Sequence, residues 1–194
     1  MKIYLVRHGH TQWNEHKIIQ GRTDTDLSQK GIEQAVTLAS SLQSQNLNIV
    51  NLYTSRQLRA AKTAQIIADA LNVPLTTQAG LEEISFGLWE GLTWGQVQAQ
   101  YPNEFEVWSA NRRYQPTLQG ESYQQLLERV VPALKQIINS NKGDVLAVTH
   151  SAVIMCLNCL LHSIPFAEMG KHKIPNAQLV PYNDEQINLI HARL

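Results

Sequence analysis

The strongest constraint on the fold is a repeated order of short apolar runs and amphipathic helical patterns. Lys2–Val6 is an apolar run, and Ser28 can cap a later helix whose apolar residues recur every three or four positions. A second run, Ile49–Tyr53, precedes a helical pattern over Gln57–Leu71. Strands that alternate with helices pair in parallel and are covered by those helices. The order therefore predicts an α/β fold with a mainly parallel sheet.

The second half of the chain adds a further strand and two helices. Asp144–Thr149 (DVLAVT) is continuously apolar after its first residue, which is typical of a strand buried on both faces. Helical patterns cover Ser122–Asn139 and Ala152–Leu161. Gln178–Tyr182 and Ile187–His191, joined by four polar residues, predict a closing β-hairpin.

Residues 77–120 differ from the rest of the chain. Their periodicity is weak, and they contain seven aromatic residues. A length of 194 residues suits one compact domain with a real hydrophobic core. We therefore expect one domain over residues 1–194, with a small cap-like insertion at about 77–120.

Composition limits the kinds of partner. Lys and Arg balance Asp and Glu at 16 each, which argues against a nucleic acid or an anionic membrane. No apolar stretch has the roughly 18 residues that a bilayer span needs, and the N-terminal run is too short for a signal peptide. The two cysteines, Cys156 and Cys159, lie in an apolar helical pattern that favours core packing over a redox or zinc site. We expect a cytoplasmic protein.

Basic side chains follow three of the predicted strands. Ligands of open α/β sheets bind beyond the carboxyl ends of the strands. Arg7 and His8 follow the first strand, Arg56 follows the second, and His150 follows DVLAVT. Two guanidinium groups match the oxygens of a phosphate. A neutral imidazole can accept a phosphoryl group, and a second one can stabilise the charge of the group in transfer.

Two questions stay open at the level of these residues. His8 and His10 flank Gly9 and could be metal ligands, or one could be a nucleophile. Glu82 and Glu83 both could protonate a leaving oxygen, since burial and a nearby phosphate would raise the pKa of either carboxyl group.

Several short segments match one known family in the same order along the chain. They are LVRHGHT with TQWN (5–14), GR-D-LS-GIEQA (21–35), LYTSRQLRAAKTA (52–64), LEEISFGLWEG (81–91), GES (120–122), VLAVTHSAVI (145–154) and PNA (175–177). The chain resembles the histidine phosphatase superfamily, branch 1, the phosphoglycerate-mutase-like enzymes that include broad-specificity and alpha-ribazole phosphatases. The resemblance implies a three-layer αβα sandwich with an antiparallel edge in its mainly parallel sheet, and neither a metal nor an organic cofactor.

The resemblance also implies roles for single residues. His8 corresponds to the phosphorylated nucleophile, and Arg7, Arg56 and His150 to the phosphate pocket. Glu83 corresponds to the acid and base, which leaves Glu82 as a solvated neighbour.

Further positions match less strictly. Asn14 corresponds to an additional phosphate contact, with Gln20 and Gly21 lining the site. Ser151 stands where the family usually has glycine and would place a hydroxyl near the phosphate. His10 occupies a variable position, so we expect it to tune activity rather than to carry it.

The favoured function is hydrolysis of a small phosphomonoester through a phosphohistidine. A phosphoglycerate mutase is the alternative, but such enzymes carry longer insertions around the site than this chain has room for. A non-catalytic phospho-ligand binder would be expected to have lost a reactive group. A metal hydrolase would need a larger cluster of ligands than His8 and His10. Arg112 and Arg113 are either solvated or meet a second anionic group, and a homodimer stays open.

Overall fold

A computed structural model describes residues 1–45 and 47–194. Its sheet has the strand order β3-β2-β4-β1-β5, in which β5 alone runs antiparallel to its neighbour. The strands are β1 (Lys2–Arg7), β2 (Ile49–Thr54), β3 (Leu75–Thr77), β4 (Asp144–Thr149) and β5 (Leu179–Asn183). The predicted mainly parallel sheet with an antiparallel edge is confirmed.

Eight α-helices and two 3₁₀ segments connect the strands within the described residues. The helices are α1 (Gln12–Glu15), α2 (Gln29–Ser44), α3 (Leu58–Leu71), α4 (Trp94–Gln100), α5 (Pro102–Ala110), α6 (Tyr123–Asn139), α7 (Ser151–His162) and α8 (Asp184–Ala192); the 3₁₀ segments are Gly87–Trp89 and Phe166–Lys171. Helix α1 and strand β3 were not predicted, because three or four residues are too few to show a periodicity. No helix among the described residues is both long and apolar enough to cross a membrane.

The sheet separates two hydrophobic cores. In β1, Ile3 and Leu5 belong to the core that contains α6, α7 and α8, whereas Tyr4 and Val6 belong to the core formed with α2 and α3. Successive side chains of a strand point to opposite faces, so a strand covered on both sides must be apolar at every position. This confirms the three-layer αβα sandwich and explains the continuous apolar run of β4. Cys156 and Cys159 are buried, free thiols of α7, as predicted.

The predicted closing hairpin is wrong in its second half. Leu179–Asn183 is a strand, but Ile187 and its successors lie in α8. The Asn183 side chain accepts a hydrogen bond from the Gln186 N–H, and Gln186 bonds back to the Asn183 N–H. This capping box starts a helix that buries Ile187 and Ile190. The polar residues 183–186, which suggested a turn, instead form the start of α8.

Residues 77–120 contain α4, α5 and a cluster of aromatic rings. Trp89 is fully buried and makes an edge contact with Trp108, and Trp94 stacks on Trp108 with their ring centroids 5.3 Å apart. Trp108 also approaches Tyr123 of α6. Each of these short helices buries a single residue, Val97 in α4 and Trp108 in α5, which is why the segment shows little periodicity in sequence.

Two glycines let the loop after β1 lie against the first turn of α2. A Cβ atom on Gly31 would lie 2.1 Å from the carbonyl oxygen of His10, and one on Gly9 would lie 2.5 Å from the carbonyl oxygen of Gly31. The Gly9 N–H donates to Thr63 Oγ1 in α3, and Ser28 caps α2 as predicted. The loop that carries His8 is thereby held between two helices.

Candidate active site

A cavity of about 440 Å³ lies at the carboxyl ends of β1 and β4. Most of the predicted site residues line it: Arg7, His8, Asn14, Gln20, Gly21, Glu83 and Ser151. Two predicted residues are outside this lining: His150, which is fully buried directly before Ser151, and Arg56. Topology thus brings together residues that are more than 140 positions apart in sequence.

His8 is held in one tautomer by its own loop. Its Nδ1 lies 2.7 Å from the Gly9 carbonyl oxygen, and because a carbonyl can only accept, Nδ1 carries the proton. Burial lowers the pKa of His8 well below the usual histidine range, and the charges of Arg59 and Arg7 lower it further. The ring is therefore neutral near pH 7, with a free lone pair on Nε2.

His150 packs behind the nucleophile candidate. Its ring centroid is 5.2 Å from that of His8, and its Nε2 lies 2.9 Å from Ser55 Oγ. Its buried Nδ1 has no hydrogen-bond partner among the described residues. Burial lowers the pKa of His150 well below its ordinary value, and the charge of Arg59 adds to that effect.

The second arginine of the cavity is Arg59, which the sequence analysis did not select. It is fully buried, and its Nη2 and Nη1 donate to the carbonyl oxygens of Gly21 and Thr23 at 2.7 and 2.8 Å. Arg7 Nη1 donates to the Ile174 carbonyl oxygen. The Nε atoms of Arg7 and Arg59 are buried and lack a partner within the described part of the chain. A buried and a partly buried cation, both held by neutral carbonyls, form a site suited to an anion.

Arg56 was predicted as a phosphate ligand, but the structure does not bring it to the cavity. Its side chain is 70% exposed, and its Nε lies 3.1 Å from Glu82 Oε1. Arg56 precedes α3, whereas Arg59 lies in its first turn, four positions before the buried Thr63 and so on the same helical face. The available signal was that the helix predicted over Gln57–Leu71 contains Arg59 but not Arg56. Glu82, predicted to be solvated, is buried and also faces Arg129.

Glu83 is the carboxylate that reaches the cavity. Its Oε1 and Oε2 accept hydrogen bonds from the backbone N–H groups of Ile84 and Ala152 at 3.0 and 3.3 Å. Burial raises the pKa of Glu83, and the charges of Arg59 and Arg7 and the two backbone hydrogen bonds oppose this increase. Because its pKa is raised, Glu83 gains and loses its proton closer to neutral pH than a solvated glutamate does.

Two amide side chains complete the polar wall. Asn14 Oδ1 accepts hydrogen bonds from the Thr11 backbone and hydroxyl, at 3.0 and 3.2 Å. Gln20 Oε1 accepts from the Thr25 hydroxyl at 2.7 Å. Because both amide oxygens are engaged inside the protein, the amide NH₂ groups are the ends that can donate to an anion in the cavity.

His10 has a different environment from His8. Its Nδ1 lies 2.9 Å from Ser28 Oγ, its Nε2 lies 3.8 Å from the Glu15 carboxylate, and it is not part of the cavity lining. Within residues 1–45 and 47–194, no group of three or more His, Cys, Asp or Glu side chains could hold a metal ion. His10 thus contacts Ser28 and Glu15, whereas His8 lines the cavity.

This arrangement can be compared with known proteins. The family model of the histidine phosphatase superfamily (branch 1) matches residues 3–187. The chain belongs to this family. Arg7 and His8, from the RHG segment over residues 7–9, line the cavity described above.

Individual relatives agree with this membership. Phosphoserine phosphatase 1 of Hydrogenobacter thermophilus is 29% identical, with 98% of this chain and 90% of the relative covered. Phosphoserine phosphatase of Entamoeba histolytica, solved in complex with 3-phosphoglyceric acid, is 26% identical with a TM-score of 0.82 over 95% of this chain and 91% of the other. Alpha-ribazole phosphatase of Shigella flexneri shares the fold, with a TM-score of 0.82, 24% identity and coverage of 94% and 90%. Membership and phosphatase relatives together support a hydrolase.

Arg59 lines the cavity and Arg56 is exposed at the surface, so variants of the two arginines can be compared. We expect Arg59→Ala to weaken binding of inorganic phosphate by about ten- to a hundredfold, because it removes charge-assisted hydrogen bonds worth about 1.5–3 kcal/mol. Arg56→Ala, the matched variant three positions away, should leave phosphate affinity within about twofold. Titration calorimetry measures both. A larger loss for Arg56→Ala than for Arg59→Ala would contradict the assignment.

Proposed function

We propose that the protein is a phosphomonoester hydrolase in which His8 Nε2 accepts the phosphoryl group. The observation that carries this proposal is the state of His8: a neutral ring, fixed by Gly9 and without a partner at Nε2 among the described residues, in a cavity that two arginines line. An imidazole nitrogen in this state is a competent nucleophile, and an adjacent cationic site attracts its phosphorylated substrate.

In the first step the phosphoryl oxygens are bound by Arg7 and Arg59, with the amide groups of Asn14 and Gln20 as further donors. His8 Nε2 attacks phosphorus, the N–P bond forms, and the bond to the leaving oxygen breaks. Glu83, in its protonated form, donates its proton to that oxygen and releases the alcohol.

In the second step Glu83 acts as a base. It takes a proton from water as the water oxygen attacks the phosphorus of phospho-His8, and the N–P bond breaks to release phosphate and neutral His8. His150 completes the assignment: bound phosphoryl charge favours its protonated form, whose Nδ1–H can donate to a phosphoryl oxygen. In this proposal the two guanidinium groups and the protonated His150 supply the positive charge, and no step uses a metal.

The substrate is proposed to be a small metabolite with a second anionic group. Arg112 and Lys173 also line the cavity, so its lining holds four cationic side chains and the single carboxylate of Glu83. Arg112 lies 4.6 Å above the ring of Trp108, and its buried Nε has no partner within the described residues. Phosphate binding engages Arg7 and Arg59 and leaves the charge of Arg112 for a carboxylate or second phosphate.

Arg113 differs from its neighbour. It donates to Gln124 Oε1 at 2.9 Å and to the carbonyl oxygens of Arg193 and Leu194, and it is not part of the cavity lining. We propose that Arg112 contacts substrate and that Arg113 holds the chain around it. We further propose that residues 77–120 act as the cap-like segment, since Trp94, Phe105 and Trp108 form one wall of the cavity.

The nucleophile can be tested directly. His8→Ala is expected to abolish hydrolysis of a generic phosphomonoester, because no other group takes the phosphoryl group, and wild-type activity should persist with excess chelator. His10→Gln should retain most activity, since His10 lies outside the cavity. Steady-state phosphate release gives all three rates.

Undiminished turnover by His8→Ala would disprove the phosphohistidine, and loss of wild-type activity in chelator would disprove a metal-free mechanism. Rapid interconversion of phosphoglycerates with little free phosphate would indicate a mutase.

The pH profile should report Glu83 and His8 separately. Activity rises with pH as His8 loses its proton, and its lowered pKa puts this limb below the ordinary histidine range. Activity falls as pH rises through the raised pKa of Glu83, because the proton donor is lost. Glu83→Gln should remove the alkaline limb and lower kcat by about 10²- to 10⁴-fold on an alkyl phosphate. Glu82→Gln is the matched control and should keep the limb; an unchanged limb in Glu83→Gln would contradict the role.

Substrate choice should depend on Arg112. We expect Arg112→Ala to raise KM for 3-phosphoglycerate or phosphoserine by about tenfold or more, the loss of one charge-assisted contact, while KM for glycerol 3-phosphate changes little. The ratio of the two KM values comes from kinetics with 3-phosphoglycerate and glycerol 3-phosphate, which differ only in the carboxylate. Arg113→Ala should leave this ratio unchanged. An equal loss on both substrates in Arg112→Ala would remove the second anion from the proposal.

A further inference from the structure

Gln57 uses its side chain in an unusual way. It is the N-cap residue of α3, yet its side chain makes no capping hydrogen bond to that helix. N-cap side chains normally accept a hydrogen bond from the first turn of their own helix. Gln57 is 5% exposed, so its amide group must find partners elsewhere in the protein.

Both ends of this amide are bound to the active site. Gln57 Oε1 accepts a hydrogen bond from the backbone N–H of Glu83 at 2.8 Å. Gln57 Nε2 donates to the carbonyl oxygen of Gly21 at 2.9 Å, and the same oxygen accepts from Arg59 Nη2 at 2.7 Å. One planar group therefore joins the backbone of the proposed acid to the loop that orients a phosphate-binding arginine.

A third contact extends to the second histidine. Ser55 Oγ lies 3.4 Å from Gln57 Oε1 and 2.9 Å from His150 Nε2. The amide oxygen of Gln57 thus also orders the hydroxyl group that holds His150. Gln57 thus binds the backbone of Glu83 directly. It is connected to Arg59 through the Gly21 carbonyl group and to His150 through the Ser55 hydroxyl group.

We propose that Gln57 is a positioning residue that sets the place of Glu83 relative to the phosphoryl site; this rests on the proposed function, in which Glu83 is the proton donor. The position needs an acceptor at one end and a donor at the other. A glutamate would supply the acceptor but turn an oxygen toward the Gly21 carbonyl, and a methionine would fill the space with neither. Small displacements of a catalytic group are costly, on the order of a hundredfold in rate for about 1 Å.

The test compares two leaving groups. Nitrophenyl phosphate needs little protonation of its leaving oxygen, whereas glycerol 3-phosphate needs a positioned acid. Gln57→Met is expected to lower kcat on glycerol 3-phosphate by about 10- to 100-fold, to lower kcat on nitrophenyl phosphate by much less, and to leave both KM values within a few-fold. Glu83→Gln, measured in parallel, should show the same dependence on leaving group more strongly.

Tyr182→Phe is the matched structural control. It removes a hydrogen bond of 2.7 Å from a buried tyrosine to Asn158 Oδ1, away from the cavity, and should leave the ratio of the two substrates unchanged. Equal losses on both substrates in Gln57→Met would show a merely structural role and overturn the inference. A Gln57→Met enzyme equal to wild type, beside a leaving-group-dependent Glu83→Gln, would overturn the inference alone. Glu83→Gln without that dependence would overturn the proposed function as well.

Gln57→Glu keeps the inference testable if Gln57→Met does not fold. The carboxylate retains the acceptor for the Glu83 N–H but places negative charge beside Glu83, which raises the pKa of that carboxyl group. The alkaline limb of the pH profile on glycerol 3-phosphate should therefore shift to higher pH. An unshifted limb would overturn the inference.

Discussion

The rest of the site depends on two guanidinium groups, the fully buried one of Arg59 and the partly buried one of Arg7, that carbonyl oxygens rather than carboxylates hold in place. Arg59 donates to Gly21 and Thr23, and Arg7 donates to Ile174. Neutral acceptors fix the direction of a guanidinium without cancelling its charge. Burial lowers the pKa of His8 and this positive charge lowers it further, whereas burial raises the pKa of Glu83 and the same charge opposes that increase. The arrangement thus favours the binding of an anion and a neutral His8, which is the state that the proposed nucleophile requires.

Within the described residues neither Arg7 nor Arg59 forms a salt bridge, and two nearby acids instead bind the loops around the site. Glu90 accepts hydrogen bonds from the backbone N–H groups of Arg22, Thr23 and Phe86. This places the loop whose carbonyl oxygens orient Arg59. Glu121 in turn accepts hydrogen bonds from the Ser85 N–H and from the Arg129 side chain. Glu90 of the WEG segment and Glu121 of the GES segment therefore bind backbone N–H groups of the loops around the cavity.

Sequence patterns predicted what depends on local periodicity and strand ends. Strand β4, the α2 cap at Ser28 and the place of His8 follow from burial on both faces, from capping chemistry and from the rule for sheet edges. The errors arose where one pattern has two physical outcomes. The Asn183–Gln186 segment suits a turn or a capping box, and only the packing of Ile187 and Ile190 decides. Arg56 and Arg59 share one short motif, and the buried face of α3 separates them.

In the proposed mechanism, the pKa of Glu83 also depends on whether a phosphate group is bound. Burial raises the pKa of Glu83, and the charges of Arg59 and Arg7 oppose that increase. A bound phosphate dianion offsets those two positive charges and adds a like charge near the carboxyl group, and both effects raise its pKa. Glu83 is then more often protonated when a leaving oxygen is present to receive the proton. Once the alcohol has departed with that proton, Glu83 is left as the carboxylate that the attack of water requires.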